Sequence, residues 1–122
     1  MHNYRELKVW QRSIELVQEV YKLVKKLPKE ETYCLSDQMR RAAVSIPSNI
    51  AEGQDRNSRK EFIYFLSIAR GSKSELDTQV EICLRIGYFN LLDAERVLGL
   101  LQEVSMMITS LITKLSGSNK DG

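Results

Sequence analysis

One histidine, two cysteines and two prolines in 122 residues exclude a good deal of chemistry. His2 stands alone near the N-terminus, so there is no imidazole for a general base, a Ser-His-Asp triad or a histidine-ligated metal. The Glu-x-x-His pairs that hold two metal ions inside some helical bundles are absent as well. Cys34 and Cys83 are too few and too far apart for a disulfide framework or a zinc site. Cys83 falls on an apolar helical stripe and reads as a small buried hydrophobe. Gly53-Gln54-Asp55-Arg56 does not have the pattern of a phosphate-binding glycine loop. No apolar run nears the roughly 20 residues that span a bilayer. The opening residues lack the apolar core and cleavage pattern of a secretory signal. The expectation is a cytoplasmic, non-enzymatic protein with reduced thiols, no cofactor, no metal and no membrane partner.

Charge is nearly balanced overall, at +2, but not along the chain. Residues 1–73 carry 14 Lys/Arg against 9 Asp/Glu, and residues 74–122 carry 4 against 7. One side of the molecule can therefore present a basic surface suited to polyanions, although unevenly solvated charge would leave the same pattern.

The hydrophobic pattern is helical throughout, with no alternating strand-like run. Leu7, Trp10, Ile14, Val17, Tyr21 and Val24 recur at steps of three and four, and Leu27-Pro28 closes this first helix. A second runs from about Ser36, as N-cap, to Gly53, as the residue past its end. Its core face is Leu35, Met39, Ala42, Ala43, Ile46 and Ile50; Val44, Pro47 and Ala51 form a second apolar strip. Ser45, Ser48 and Asn49 supply small polar groups between Arg41 and Glu52. Pro47 removes one backbone hydrogen bond and is expected to bend the helix. The third helix opens with the capping-box pattern Ser58-Arg59-Lys60-Glu61 and ends at Gly87. Phe62, Phe65, Leu66, Ala69, Leu76, Val80, Cys83 and Leu84 make its main stripe, and Tyr64, Ile68, Ile82 and Ile86 a shoulder. Gly71-Ser72 in its interior suggests close approach of another backbone. In the fourth, Val97, Leu101, Val104, Ile108, Leu111 and Leu115 form the seam. Four such helices with short loops predict an all-α, up-down-up-down four-helix bundle over residues 1–116, with 117–122 a flexible tail.

The leftover strips, Val44/Pro47/Ala51 and Tyr64/Ile68/Ile82/Ile86, exceed what one small bundle can bury and predict an oligomer interface. The basic candidates for nucleic acid are Arg40, Arg41, Arg56, Arg59, Lys60, Arg70 and Lys73. Those between Arg56 and Lys60 lie beside a helix N-terminus, whose free N–H groups and positive dipole favour phosphate. A solvated loop is the competing reading. Glu52 and Glu75 allow either a carboxylate metal site or ion pairs with Arg40 and Arg41. The ion pairs are preferred, because oxygen-only metal sites gather more carboxylates than two.

The stretch Leu7-Lys8-Val9-Trp10, the block from Gln38-Met39-Arg40-Arg41-Ala42 through Val44-Ser45-Ile46-Pro47-Ser48-Asn49-Ile50-Ala51-Glu52-Gly53, and Ala69-Arg70-Gly71-Ser72 with Glu75-Leu76 resemble the bacterial 23S rRNA intervening-sequence proteins. Phe62 to Phe65-Leu66 and Ile86-Gly87-Tyr88 continue the likeness over nearly the whole chain. The resemblance implies a four-helix bundle assembled as a homopentamer around a central axis. It also implies kinship with the accessory variability determinant of diversity-generating retroelements, whose members are thought to bind nucleic acid and a reverse transcriptase. The function expected is a homo-oligomer that binds structured RNA through its basic surface. The alternative is an adaptor that docks a protein such as a reverse transcriptase.

Overall fold

The computed structural model describes the backbone of residues 3–121 and the side chains of residues 3–117. His2 and the side chains of most of the expected tail lie outside the described residues. Four long helices account for the fold: α1 (Lys8–Leu23), α2 (Leu35–Gln54), α3 (Arg59–Ile86) and α4 (Leu91–Asp121). Short 3-10 turns at Tyr4–Glu6, Val24–Lys26 and Lys29–Glu31 complete it. The pairs α1–α2, α2–α3, α3–α4 and α4–α1 pack together, and among the described residues neither diagonal pair does. That is the up-down-up-down bundle the periodicity predicts. No strand occurs among the described residues.

Local chemistry places the helix ends. Leu27, ahead of Pro28, is extended (φ −76°, ψ 150°), as the clash with a proline ring requires. Ser58 accepts from the Glu61 amide at 3.1 Å and caps α3. Gly87 ends α3 at φ 91°, a left-handed conformation that glycine alone adopts without strain. The start of α2 differs from the expectation. Cys34 is the capping residue and contributes no side-chain bond, while Ser36 lies inside the first turn and is buried. The Glu31 carboxylate takes over part of the capping, accepting from the Leu35 amide at 3.3 Å.

Two glycine expectations are also corrected. Gly53 is inside α2, not beyond it, and is buried. A Cβ there would lie 2.8 Å from the Phe65 Cβ and 2.9 Å from the Phe62 Cδ1, so glycine is present to let α2 and α3 meet. A Cβ at Gly71 would meet nothing outside its own helix turn within 4 Å; its neighbour Ser72 makes the close contact instead, with its Oγ 2.8 Å from that of Ser45.

The core contains Leu16, Val20, Met39, Ile46, Ile50, Leu66, Leu76, Val80, Val104 and Ile108, all fully shielded. On α1 the buried face is Val9, Ser13, Leu16, Val20 and Leu23; of the expected seam, Val24 just past α1 is buried, while Leu7, Trp10 and Val17 pack against the edge of the core. Leu7, Trp10, Ile14 and Val17 are only partly buried, and Tyr21 is exposed. Ser13 is tolerated in the core because its hydroxyl donates to the Trp10 carbonyl at 2.7 Å. Helix α2 runs unbroken through the buried Pro47, and Asn49 donates from Nδ2 to the Ser45 carbonyl at 2.8 Å nearby. The expectation about long apolar runs needs amendment for α4: Leu91–Gly117 is long and apolar enough to cross a membrane by length and composition. Its Ala94, Val97, Leu100, Leu101, Val104 and Ile108 are buried in the bundle, while Leu91, Leu92 and Met106 are exposed.

Candidate nucleic-acid interface

The seven basic candidates separate into two groups. Arg40 and Arg41 are drawn to Asp37 on their own helix, at 3.9 and 2.9 Å. Arg40 also donates to the Thr32 carbonyl at 3.1 Å and lies 6.0 Å from the centre of the Tyr21 ring. Arg56 is tied to Glu52 at 2.7 Å and faces Glu61 at 3.9 Å. Its guanidinium carbon lies over the Phe65 ring, 5.0 Å from the ring centre, a cation–π contact. These three arginines shape the α2 surface and the α2–α3 turn. The expected pairing of Glu52 and Glu75 with Arg40 and Arg41 does not form. Glu52 is taken by the nearer Arg56, and Glu75 accepts from Gln79 Nε2 at 3.4 Å.

Arg59, Lys60, Arg70 and Lys73 are different. Among the described residues none of the four has an ion pair. Arg59, Lys60 and Arg70 are exposed and Lys73 is half-buried. Arg70 and Lys73 follow Arg59 by about three and four helical turns, so the three recur along one side of α3. Ser58, Arg59, Lys60 and Ile63 line a depression of about 600 Å³ at the start of that helix. Chemically this is a row of solvated cations beside a capped helix N-terminus, a surface that can neutralise phosphates without reading bases.

The apolar candidates are arranged on two surfaces. Val44, Pro47, Ser48 and Ala51 of α2 join Trp10, Ile14 and Val17 of α1, with Tyr4 just ahead of it, in a groove of about 360 Å³. Trp10, Ile14 and Val17 of the α1 stripe thus form one wall of this groove. Pro47 is buried at its floor, and Val44 is 40% exposed. On α3, Tyr64, Ile68, Ile82 and Ile86 form an exposed ridge; Tyr64 is 62% and Ile86 57% exposed. Between groove and ridge, Ser45, Asn49 and Ser72 form a hydrogen-bonded cluster, while Ser48, Glu52 and Glu75 face solvent.

No group of three or more His, Cys, Asp or Glu side chains suited to a metal occurs among the described residues. The Cys83 thiol is pushed up to about 11, first by burial and then by the Glu31 charge. Tyr88 donates from its hydroxyl to Glu31 at 2.7 Å, and that bond raises its pKa. Neither group is poised for proton transfer near neutrality.

The family described as 23S rRNA-intervening sequence protein matches residues 5–110, from the Arg5 turn through most of α4. The chain belongs to this family. Among solved structures it is similar to a protein of unknown function from the S23 ribosomal protein family of Bacteroides thetaiotaomicron. The two are 28% identical with a TM-score of 0.79, over 86% of this chain and 95% of that one. No curated protein matches the chain. As a member of this family it keeps the four-helix architecture, with the free cations and the apolar ridge both on α3.

Proposed function

We propose that this family member is a cytoplasmic, non-enzymatic homo-oligomer, a pentamer, that binds structured RNA by neutralising its phosphates. The observation that carries the reading is the set of cations on α3 without ion pairs: Arg59, Lys60, Arg70 and Lys73. Cations already paired with carboxylates gain little from a phosphate, whereas solvated ones release counterions when they meet it. A few such contacts per subunit bind weakly, and symmetry multiplies them.

The groove on α1 and α2 and the ridge on α3 support assembly. They are unlike surfaces on one chain, so a head-to-tail contact between copies closes into a ring when the rotation permits. Replacing Val44 and Ile68 with glutamate puts a charge in that contact. The expected result is monomer by light scattering, where the unaltered protein has the mass of a pentamer. A monomeric unaltered protein at micromolar concentration contradicts the assembly. For RNA, alanine at Arg59, Lys60 and Arg70 is expected to weaken binding at least about tenfold and to lower the salt dependence. Unchanged affinity and slope contradict the assignment.

A second reading, an adaptor for a protein such as a reverse transcriptase, draws on one feature. Tyr33, Ile86, Leu91 and Leu92 are exposed at the end of the bundle where the α1–α2 connection meets the α3–α4 turn. It predicts partner capture that survives nuclease and moderate salt, and that Leu91→Glu with Leu92→Glu abolishes.

A further inference from the structure

At the end of the bundle opposite the α2–α3 turn, a cavity of about 470 Å³ opens between the end of α1 and the first turn of α2. Its wall holds Lys25, Lys29 and Arg40 and no acidic side chain. Among the described residues neither lysine has an ion pair. Ser36 lines the same wall, is 4% exposed, and its hydroxyl has no hydrogen-bond partner among the described residues. A hydroxyl on the cavity wall with no protein partner is free to donate to an anion that enters.

The backbone adds to this. The α2 N-terminus has no side-chain cap at Cys34, and only the Leu35 amide is met, by Glu31. Among the described residues the amides of Ser36 and Asp37 have no acceptor. Three side-chain cations and a hydroxyl thus line one cavity beside the positive end of a helix dipole. Arg40 shares its charge with Asp37 at 3.9 Å and donates to the Thr32 carbonyl, whereas the other two cations have no carboxylate partner among the described residues. Asp37 is held by Arg41 at 2.9 Å, and Glu31 by Tyr88 and the Leu35 amide; Glu30 is exposed and outside the cavity wall.

From this convergence we infer that the cavity binds a phosphate monoester group. The donor set is what a tetrahedral dianion takes: a guanidinium, two ammonium groups and a hydroxyl, beside a helix N-terminus. The volume exceeds that of phosphate alone and falls in the range of small-ligand sites. Tyr21, with Val24 and Leu27, supplies an apolar side to the same cavity, suited to the organic part of the ester. Free phosphate and a nucleoside monophosphate share the anionic chemistry. The site is remote from Arg59 and Lys60 and does not rest on the RNA reading.

The test is calorimetric titration of the full chain with inorganic phosphate, adenosine 5′-monophosphate and adenosine. Saturable binding of the monophosphate, with none by adenosine, is expected. Lys25→Ala with Lys29→Ala removes two exposed cations that hold no ion pair in the fold, and is expected to weaken binding about tenfold or more. Ser36→Ala is expected to weaken it about threefold with no loss of folded protein, and Lys8→Ala, at the opposite end of α1, not at all. Monophosphate binding tighter than phosphate assigns the cavity to an organic ester, and equal affinity assigns it to free phosphate. The inference is overturned if neither phosphate compound saturates, if adenosine binds as well as its monophosphate, or if the lysine pair matters no more than Lys8.

Discussion

At the α2–α3 turn the arginine nearest the loop is held by Glu52 and Glu61 and laid over Phe65, while Arg59 and Lys60 beside it extend into solvent. At the opposite end Lys25, Lys29 and Arg40 face one cavity around a buried serine. Both regions are basic, yet they differ in what the charges converge on. An open row of cations suits an extended polyanion, whose many phosphates can be met one at a time. A converging set suits a single compact anion, because its donors must be satisfied together. Counting charge does not separate the two; burial and existing partners do.

The two ends also differ in what holds them. At the α2–α3 turn the backbone packing depends on Gly53, so Gly53→Ala forces its Cβ against Phe65 and is expected to destabilise the bundle by about 1–3 kcal/mol. Denaturant unfolding measures this, and an unchanged midpoint would mean that the two helices separate at little cost. Ser58→Ala removes the cap of α3 at the same end and is expected to destabilise by about 1 kcal/mol. Hydrogen exchange at the Glu61 amide checks that the effect is local. At the far end Tyr88→Phe deletes the link to Glu31. Its expected effect is smaller and is read as faster amide exchange over residues 24–34 with the α2–α3 turn unaffected. The smallest expected effect is that of Arg56→Ala on RNA. Because Arg56 already has carboxylate partners, RNA affinity should change by less than about twofold, whereas Arg59→Ala should bind clearly more weakly. Equal weakening at both positions would erase the distinction between paired and free cations.

The fold is legible in the sequence because its long helices carry unbroken 3.6-residue patterns and because Ser58 and Gly87 mark ends by their own chemistry. The face of α1 is misleading for a physical reason. Its true core stripe contains Ser13, satisfied locally by the Trp10 carbonyl, whereas the competing stripe of Leu7, Trp10, Ile14, Val17 and Tyr21 is apolar throughout. Much of that second stripe lines a surface groove instead. Gly53 and Gly71 are equally small in sequence, and only the position of Phe62 and Phe65 shows which one is required. The ion pair of Arg56 has a legible signal, a glutamate four residues earlier at Glu52. Lys25 and Lys29 have none, since no local spacing reveals that Ser36 will be buried on the same cavity wall as these two and Arg40.

The central claim is that free cations on α3 bind RNA phosphates. The direct measurement is the affinity of the oligomer for structured RNA across a salt series, for the unaltered protein and for the Arg59→Ala, Lys60→Ala, Arg70→Ala variant. The expected result is a steep linear fall of log affinity with log salt, shallower in the variant by about one unit for each phosphate that is no longer neutralised. Equal slopes for the two proteins, with both still assembled, would contradict it.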